Sequence, residues 1–162
     1  MIISFVGHSK ISVSAELEKH LTHTILSLLP KHEKITFYCG GYGDFDTLCA
    51  HICHTIASSR EFCEVLLVTP YITESQQKKL KELQRSNLYD GTIYPPLENV
   101  PLRFAISRRN EWMILQSDLV IAFVSHSFGG AYKTLAFAHR KKKRVINLAE
   151  SIHQAEEREE SD

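Results

Sequence analysis

Ile35-Thr36-Phe37-Tyr38-Cys39-Gly40-Gly41-Tyr42-Gly43-Asp44-Phe45-Asp46 passes from five β-favouring residues through three glycines into a helical pattern. The first five fit a strand, because β-branched and aromatic side chains suit a pleated surface. The glycines allow the backbone to turn sharply at low steric cost. Beyond them Phe45, Leu48, Cys49, Ile52, Cys53 and Ile56 recur at i, i+3 and i+4, which predicts an amphipathic helix over 44–58. A strand that feeds a helix through a tight turn is half of a parallel βαβ unit.

The same alternation extends outward in both directions. Strands are expected at 2–6, 35–39, 65–69, 119–124 and 145–148, with a short edge strand at 92–94. Helices are expected at 14–29, 44–58, 74–85, 105–116 and from about 129 to 140. Residues 87–101 hold Asp90-Gly91, Pro95-Pro96 and Pro101 and read as a loop around the edge strand. The predicted fold class is α/β, a Rossmann-like three-layer sandwich with a mainly parallel sheet. A chain of 162 residues with 43% hydrophobic content suits one such domain, placed at residues 1–149.

No apolar run approaches the roughly 20 residues that span a bilayer, so no membrane partner is expected. Met1-Ile2-Ile3-Ser4-Phe5-Val6-Gly7 reads as a buried first strand rather than a leader, and a reducing cytoplasm is the expected location. Residues 150–162 hold six acids and one arginine and read as an acidic C-terminal tail. Eighteen basic and thirteen acidic residues remain elsewhere, a balance that suits an anionic ligand; the tail is equally what a solvated terminus looks like. Long basic stripes are missing, so nucleic acid is expected to be an unlikely partner. Of the four cysteines, Cys49 and Cys53 fall on the buried helical stripe while His51 and His54 fall mainly outside it. With no C-x-x-C pair, core thiols are expected and no metal or cofactor.

Parallel sheets bind ligands beyond the carboxyl ends of their strands. Gly7-His8-Ser9, Gly40-Gly41-Tyr42-Gly43-Asp44, Thr69-Pro70-Tyr71 and Ser125-His126-Ser127-Phe128-Gly129-Gly130 all follow expected strands, so four distant loops should share one rim. Glycine turns at helix N-termini favour anions, because free N–H groups and the helix dipole point at the ligand. Asp44 or Asp46 could cap the helix or meet a ribose hydroxyl. Lys133-Thr134 looks like the end of a phosphate-binding P-loop, but Tyr132 stands where glycine is required, so that motif is rejected. A phosphate on the amides near Gly130 and Ala131 is the expectation, against a purely structural turn. Arg109, beside Arg108 and Asn110, offers a fork suited to phosphate; a solvated arginine pair is the plainer reading. His8 and His126 could donate to phosphate or act as acid–base groups, although neither has an evident orienting partner. The basic run from Arg140 to Arg144 is explained by a helix C-terminus.

Arg108-Arg109-Asn110-Glu111-Trp112-Met113, Ser117-Asp118-Leu119-Val120-Ile121-Ala122 and Gly129-Gly130-x-x-x-Thr134 together resemble the SLOG superfamily. That group unites "Lonely Guy" phosphoribohydrolases, the DNA-processing A proteins and many bacterial nucleotide-binding domains. The resemblance implies a Rossmann-like fold, often dimeric, with its ligand at the glycine loops. It also implies that Arg109 occupies the place of the hydrolases' catalytic arginine. The hydrolase glutamate belongs three residues after the motif's threonine, where this chain has Phe137. The expectation is therefore a binding module for a nucleotide or an ADP-ribose-like phosphate ligand, with a sensing or sequestering role. The alternative is an enzyme cleaving or transferring an N-glycosidic bond of nucleoside monophosphates, with Asp44, Asp46 or Glu111 replacing the glutamate and Arg109 beside it. The ligand-binding set comprises Gly7, His8, Ser9, Gly40, Gly41, Gly43, Asp44, Asp46, Arg109, His126, Gly129, Gly130, Ala131 and Thr134. Exposed Trp112 or Tyr132 would serve a homo-oligomer interface.

Overall fold

The computed structural model describes residues 1–70 and 73–150. The chain runs β1 (Ile2–Gly7), α1 (Ala15–Leu28), β2 (Ile35–Cys39), α2 (Asp44–Ser58), β3 (Cys63–Val68) and α3 (Glu74–Arg85). It continues through β4 (Gly91–Ile93), a 3-10 turn at Leu102–Phe104, α4 (Ala105–Gln116), β5 (Leu119–Phe123), α5 (Gly129–Arg140) and β6 (Arg144–Asn147). The acidic stretch past Glu150, and Tyr71 after the third strand, lie outside the described residues.

Six strands form one sheet in the order β4-β3-β2-β1-β5-β6, and every neighbouring pair is parallel. The expected "mainly parallel" sheet is thus parallel throughout. Its central strands are buried on both faces, which is why they read as nearly unbroken apolar runs. One layer packs Leu17, Leu21 and Ile25 of α1 and Phe45, Cys49, Ile52 and Cys53 of α2 against Ile3, Phe5, Phe37 and Ile121. The other packs Ile114 of α4 and Leu135 and Ala138 of α5 against Val6, Val120 and Ala122. Cys49 and Cys53 face the core as their spacing predicts, and burial pushes both thiols up.

The chain steps outward from β1 to β4 and then returns to place β5 on the other side of β1. That reversal makes the β1–β5 boundary the topological switch point, where open α/β sheets have their ligand crevice. Ser117 and Asp118 secure the return. The Asp118 carboxylate accepts from the Ile2 N–H at 2.7 Å, and the Asp118 N–H donates to the Ile2 carbonyl at 2.9 Å. The Ser117 hydroxyl donates to the Met113 carbonyl at 2.6 Å and lies 2.5 Å from the buried Ser4 hydroxyl. The Ser-Asp pair, part of the most specific sequence match, therefore holds β5 in register with β1. Among the described residues no helix is long and apolar enough to cross a membrane.

Gly7 ends β1 where α2 crosses it, and a Cβ there would lie 2.2 Å from the buried Phe45 ring. Gly7→Ala should therefore overpack this contact and lower the unfolding free energy by about 1–3 kcal/mol. A urea titration checks it; an unchanged midpoint would mean that Phe45 is free to move aside.

Candidate functional site

A cavity of about 430 Å³ opens at the carboxyl ends of β1, β2 and β5, and loops distant in sequence converge on it. Its lining includes Gly7, His8, Ser9, Gly40, Asp46, Arg109, His126, Gly129, Gly130, Ala131 and Thr134. Most of the sequence-derived set thus meets in one place, whereas Gly41, Gly43, Asp44 and Glu111 lie off the lining.

The two glycine-led helix starts at this rim differ in chemistry. At α2 the chain supplies its own anion, because the Asp46 carboxylate accepts from the N–H groups of Gly40 at 2.9 Å, Gly41 and Tyr42 at 3.1 Å. Asp46 is thus the acceptor of the preceding turn, whereas the α2 N-cap is Gly43, which has no capping side chain. Gly43 sits at φ 86°, and a Cβ there would lie 2.6 Å from the Ser9 Cα. The Asp44 N–H donates to the Ser9 carbonyl at 2.8 Å, and its carboxylate accepts from the Ile11 N–H at 3.1 Å. Gly43 and Asp44 therefore pin the loop after β1. Of the Gly40–Gly43 turn expected to meet a ligand phosphate, the amides of Gly40, Gly41 and Tyr42 are already bound to Asp46.

At α5 the corresponding groups are open. The helix follows Phe128 with no side-chain cap and no acid in its first turn. Among the described residues, no protein acceptor takes the N–H groups of Gly129, Gly130 or Ala131. Gly129 needs its glycine for a φ of 87°, but Gly130 has no such requirement and a Cβ there would meet nothing within 4 Å. Thr134 donates its hydroxyl to the Gly130 carbonyl at 2.9 Å, bracing the turn from within the helix.

Arg109 is only 2% exposed. Its Nη1 donates to the carbonyls of Gly40 at 2.7 Å and Val68 at 2.6 Å, and its Nε to the Asn110 side chain at 2.8 Å. This arginine bolts the ends of β2 and β3 to α4; it is not the solvated residue of the plainer reading. Burial pushes its pKa down while Asp46 opposes the shift. Burial likewise raises the Asp46 carboxyl, and the Gly40 N–H, Arg109 and the other turn amides restrain it. A Cβ on Gly40 would lie 2.8 Å from the guanidinium, so that glycine admits Arg109 as much as it shapes the turn.

His8 and His126 orient one another, contrary to the sequence reading that gave them no partner. Their rings stack with centroids 3.6 Å apart and planes at 12°, and the His8 Nε2 accepts from the Ser125 N–H at 3.1 Å. His126 stacks in turn on Phe128 at 3.9 Å. Burial, and then His126, push the His8 pKa below its ordinary value. An accepting Nε2 requires the same neutral form.

No known protein-family profile matches the chain, and no curated protein matches it in sequence. Solved structures do. DNA processing protein A (DprA) from Streptococcus pneumoniae superposes with a TM-score of 0.60 at 17% identity, covering 88% of this chain and 48% of that one. DNA processing protein A from Helicobacter pylori superposes with a TM-score of 0.60 at 14% identity, covering 90% of this chain and 63% of that one. The chain shares the fold of the matched part of DNA processing protein A. The Rossmann-like fold that the SLOG resemblance implied is the fold observed. This chain spans about half of one DprA and less than two thirds of the other.

The DprA likeness corrects one expectation. The H. pylori protein is described as having a single-stranded DNA binding mode, so the expectation that nucleic acid is an unlikely partner, drawn from a missing basic stripe, does not stand. The inference failed because single strands are also held through stacking and a short charged groove, which leave little trace in overall charge. A second correction concerns Trp112, which is packed against Tyr38 with centroids 6.0 Å apart instead of standing exposed; Tyr132 is exposed as expected. Glu111 pairs with Arg108 at 2.6 Å away from the cavity, and Phe137 packs beside Leu135 and Ala138 under Arg140 and Lys141. Sequence reasoning assigned no site role to Phe128, Lys10 or Asn110, all of which line the cavity. Asn110 was legible only as a neighbour of Arg109, and Phe128 only by its place before Gly129.

Asp46→Ala removes the acceptor of three N–H groups and the charge balancing Arg109, which should cost about 3 kcal/mol or more in denaturant unfolding. Asp46→Asn, which keeps one acceptor oxygen, should cost less. Because His8 is harder to protonate folded than unfolded, stability should fall as pH drops below 6.5 and level off beneath its depressed folded value. Unfolding midpoints compared between pH 7.5 and 5.5 should differ less in His8→Gln than in the parent chain.

Proposed function

We propose that the cavity captures a nucleotide or nucleotide-derived, ADP-ribose-like ligand, with a phosphate on the N–H groups at the start of α5. The observation that carries this reading is the contrast between the two helix starts. Asp46 already takes the amides of Gly40, Gly41 and Tyr42 before α2 and the Ser9 carbonyl takes that of Asp44, while Gly129–Ala131 line the same cavity without an acceptor. A helix N-terminus with free amides is a ready anion site. Glycine at 130 is otherwise unexplained, since helices favour alanine by about 1 kcal/mol and the space beyond its Cα is empty. A phosphate drawn close to the backbone accounts for it. Arg109 contributes positive potential from beneath the site, with Nη1 and Nε held by the protein.

Capture without turnover fits the carboxylates better than glycosidic cleavage does. Asp46 holds the turn, Asp44 holds the loop after β1, Glu111 pairs with Arg108, and Phe137 replaces the glutamate of the hydrolases. A sensing or sequestering role follows from binding of this kind. Single-stranded DNA is a second reading, favoured by the H. pylori DprA on the same fold, and it would present the same phosphate and base chemistry.

Thermal shift and calorimetry with AMP, ADP-ribose and a 15-nucleotide oligothymidylate separate these readings. The expected result is stabilisation by a mononucleotide-scale ligand. Gly130→Ala should stabilise the free protein by about 0.5–1 kcal/mol yet weaken binding, and Gly130→Asp should abolish binding by placing a carboxylate at the anion site. Intact AMP affinity in Gly130→Asp would sink the phosphate assignment. Oligonucleotide binding that is far tighter and steeply salt-dependent would make nucleic acid the ligand.

A further inference from the structure

A phosphate at α5 leaves the rest of the ligand to be placed, and the lip of the cavity offers one distinctive surface. His8, His126 and Phe128 stack face on face, with centroids 3.6 and 3.9 Å apart and successive planes at 12° and 22°. The inner end is anchored, because the His8 Nε2 accepts from the Ser125 N–H. The outer end stops abruptly: Phe128 is 69% exposed. This large apolar ring stands in water at the mouth of the cavity, where a flat apolar group laid on it would bury area on both sides. The ring is also pre-oriented by the two beneath it, which lowers the entropy of docking a fourth flat group.

Resting on the phosphate reading above, we propose that Phe128 is the landing face for the ligand's nucleobase, which extends the stack by one ring. The ring immediately precedes Gly129 and Gly130, so one short turn would serve both ends of a nucleotide, base on the side chain and phosphate on the amides. Stacking on Phe carries no hydrogen-bond code, since every base has a π-face. The chemical class selected is therefore a phosphate bearing a flat aromatic group, with purines favoured by area over pyrimidines. Sugar phosphates that lack a base would hold only the amide end.

Calorimetry with AMP and ribose 5-phosphate on the parent chain, Phe128→Leu and Phe128→Trp tests the assignment. Phe128 is exposed, so both variants should fold as the parent does, which melting temperatures verify. AMP should bind the parent at least tenfold more tightly than ribose 5-phosphate. Phe128→Leu should lose about tenfold or more in AMP affinity with ribose 5-phosphate unchanged, and Phe128→Trp should retain AMP and show quenching of the added indole. Equal binding of AMP and ribose 5-phosphate by the parent would overturn the base platform and leave the phosphate site standing. Failure of both ligands to bind would remove the phosphate reading and this proposal with it. Unaltered AMP affinity in Phe128→Leu, with or without a change in sedimentation, would also overturn it; a sedimentation change would make the ring a contact between copies.

Discussion

The Gly40 backbone joins the Asp46 carboxylate to the buried Arg109 guanidinium at the floor of the cavity. Its N–H donates to the half-buried Asp46 carboxylate and its carbonyl accepts from the buried Arg109 guanidinium. Neither charge is tolerable alone in that setting, because a buried ion needs a counter-charge and satisfied hydrogen bonds. Here the counter-charge acts across one residue, and the Val68 carbonyl, the Asn110 side chain and the Gly41 and Tyr42 amides supply further bonds. The arrangement ties α2, β2, β3 and α4 together at one point, which becomes the floor of the cavity. Gly40 has to be glycine because a Cβ would press on the guanidinium.

From this junction the asymmetry of the site follows. The amides of the turn before α2 are taken by the protein's own Asp46 carboxylate, so that turn organises the floor and offers little to a ligand. The α5 start has no acid nearby and keeps its amides open. Equivalent-looking glycine turns thus have opposite roles, one as scaffold and one as receptor. The histidine pair adds a third role, bridging the loops after β1 and β5 across the switch point and presenting Phe128 at the lip.

The fold was legible because each element carries its own periodicity. Residues 35–39, 44–58 and 105–116 were bounded correctly from apolar spacing and flanking glycine or serine, and the edge strand near Thr92 was visible between turn residues. Strand ends shifted by one or two residues because the hydrogen-bond ladder, which sets them, depends on a neighbour: Cys63 joins β3 through pairing with Ile35. The meeting of four loops at one rim was also legible, since a parallel sheet leaves its loops no other arrangement. Roles within the rim were less so. Asp44 and Asp46 are two residues apart and look alike as text, yet one faces the loop after β1 and the other the turn before its own helix. Ser117 and Asp118 stood out as a motif, but only their contacts with Ser4 and Ile2 show that they hold strand register.

The sequence by itself determined the alternation of strand and helix, the buried stripe of each helix and the glycine turns at the strand ends. These are local matters of propensity, period and steric permission, decided within a dozen residues. Tertiary structure alone decided that Arg109 is buried as a bolt, that His8 and His126 support one another, and that Phe128 ends a stack facing outward. The deciding contacts join groups far apart in the chain, 69 residues for Gly40 with Arg109 and 118 for His8 with His126. Only closure of the sheet at the β1–β5 boundary brings them within reach.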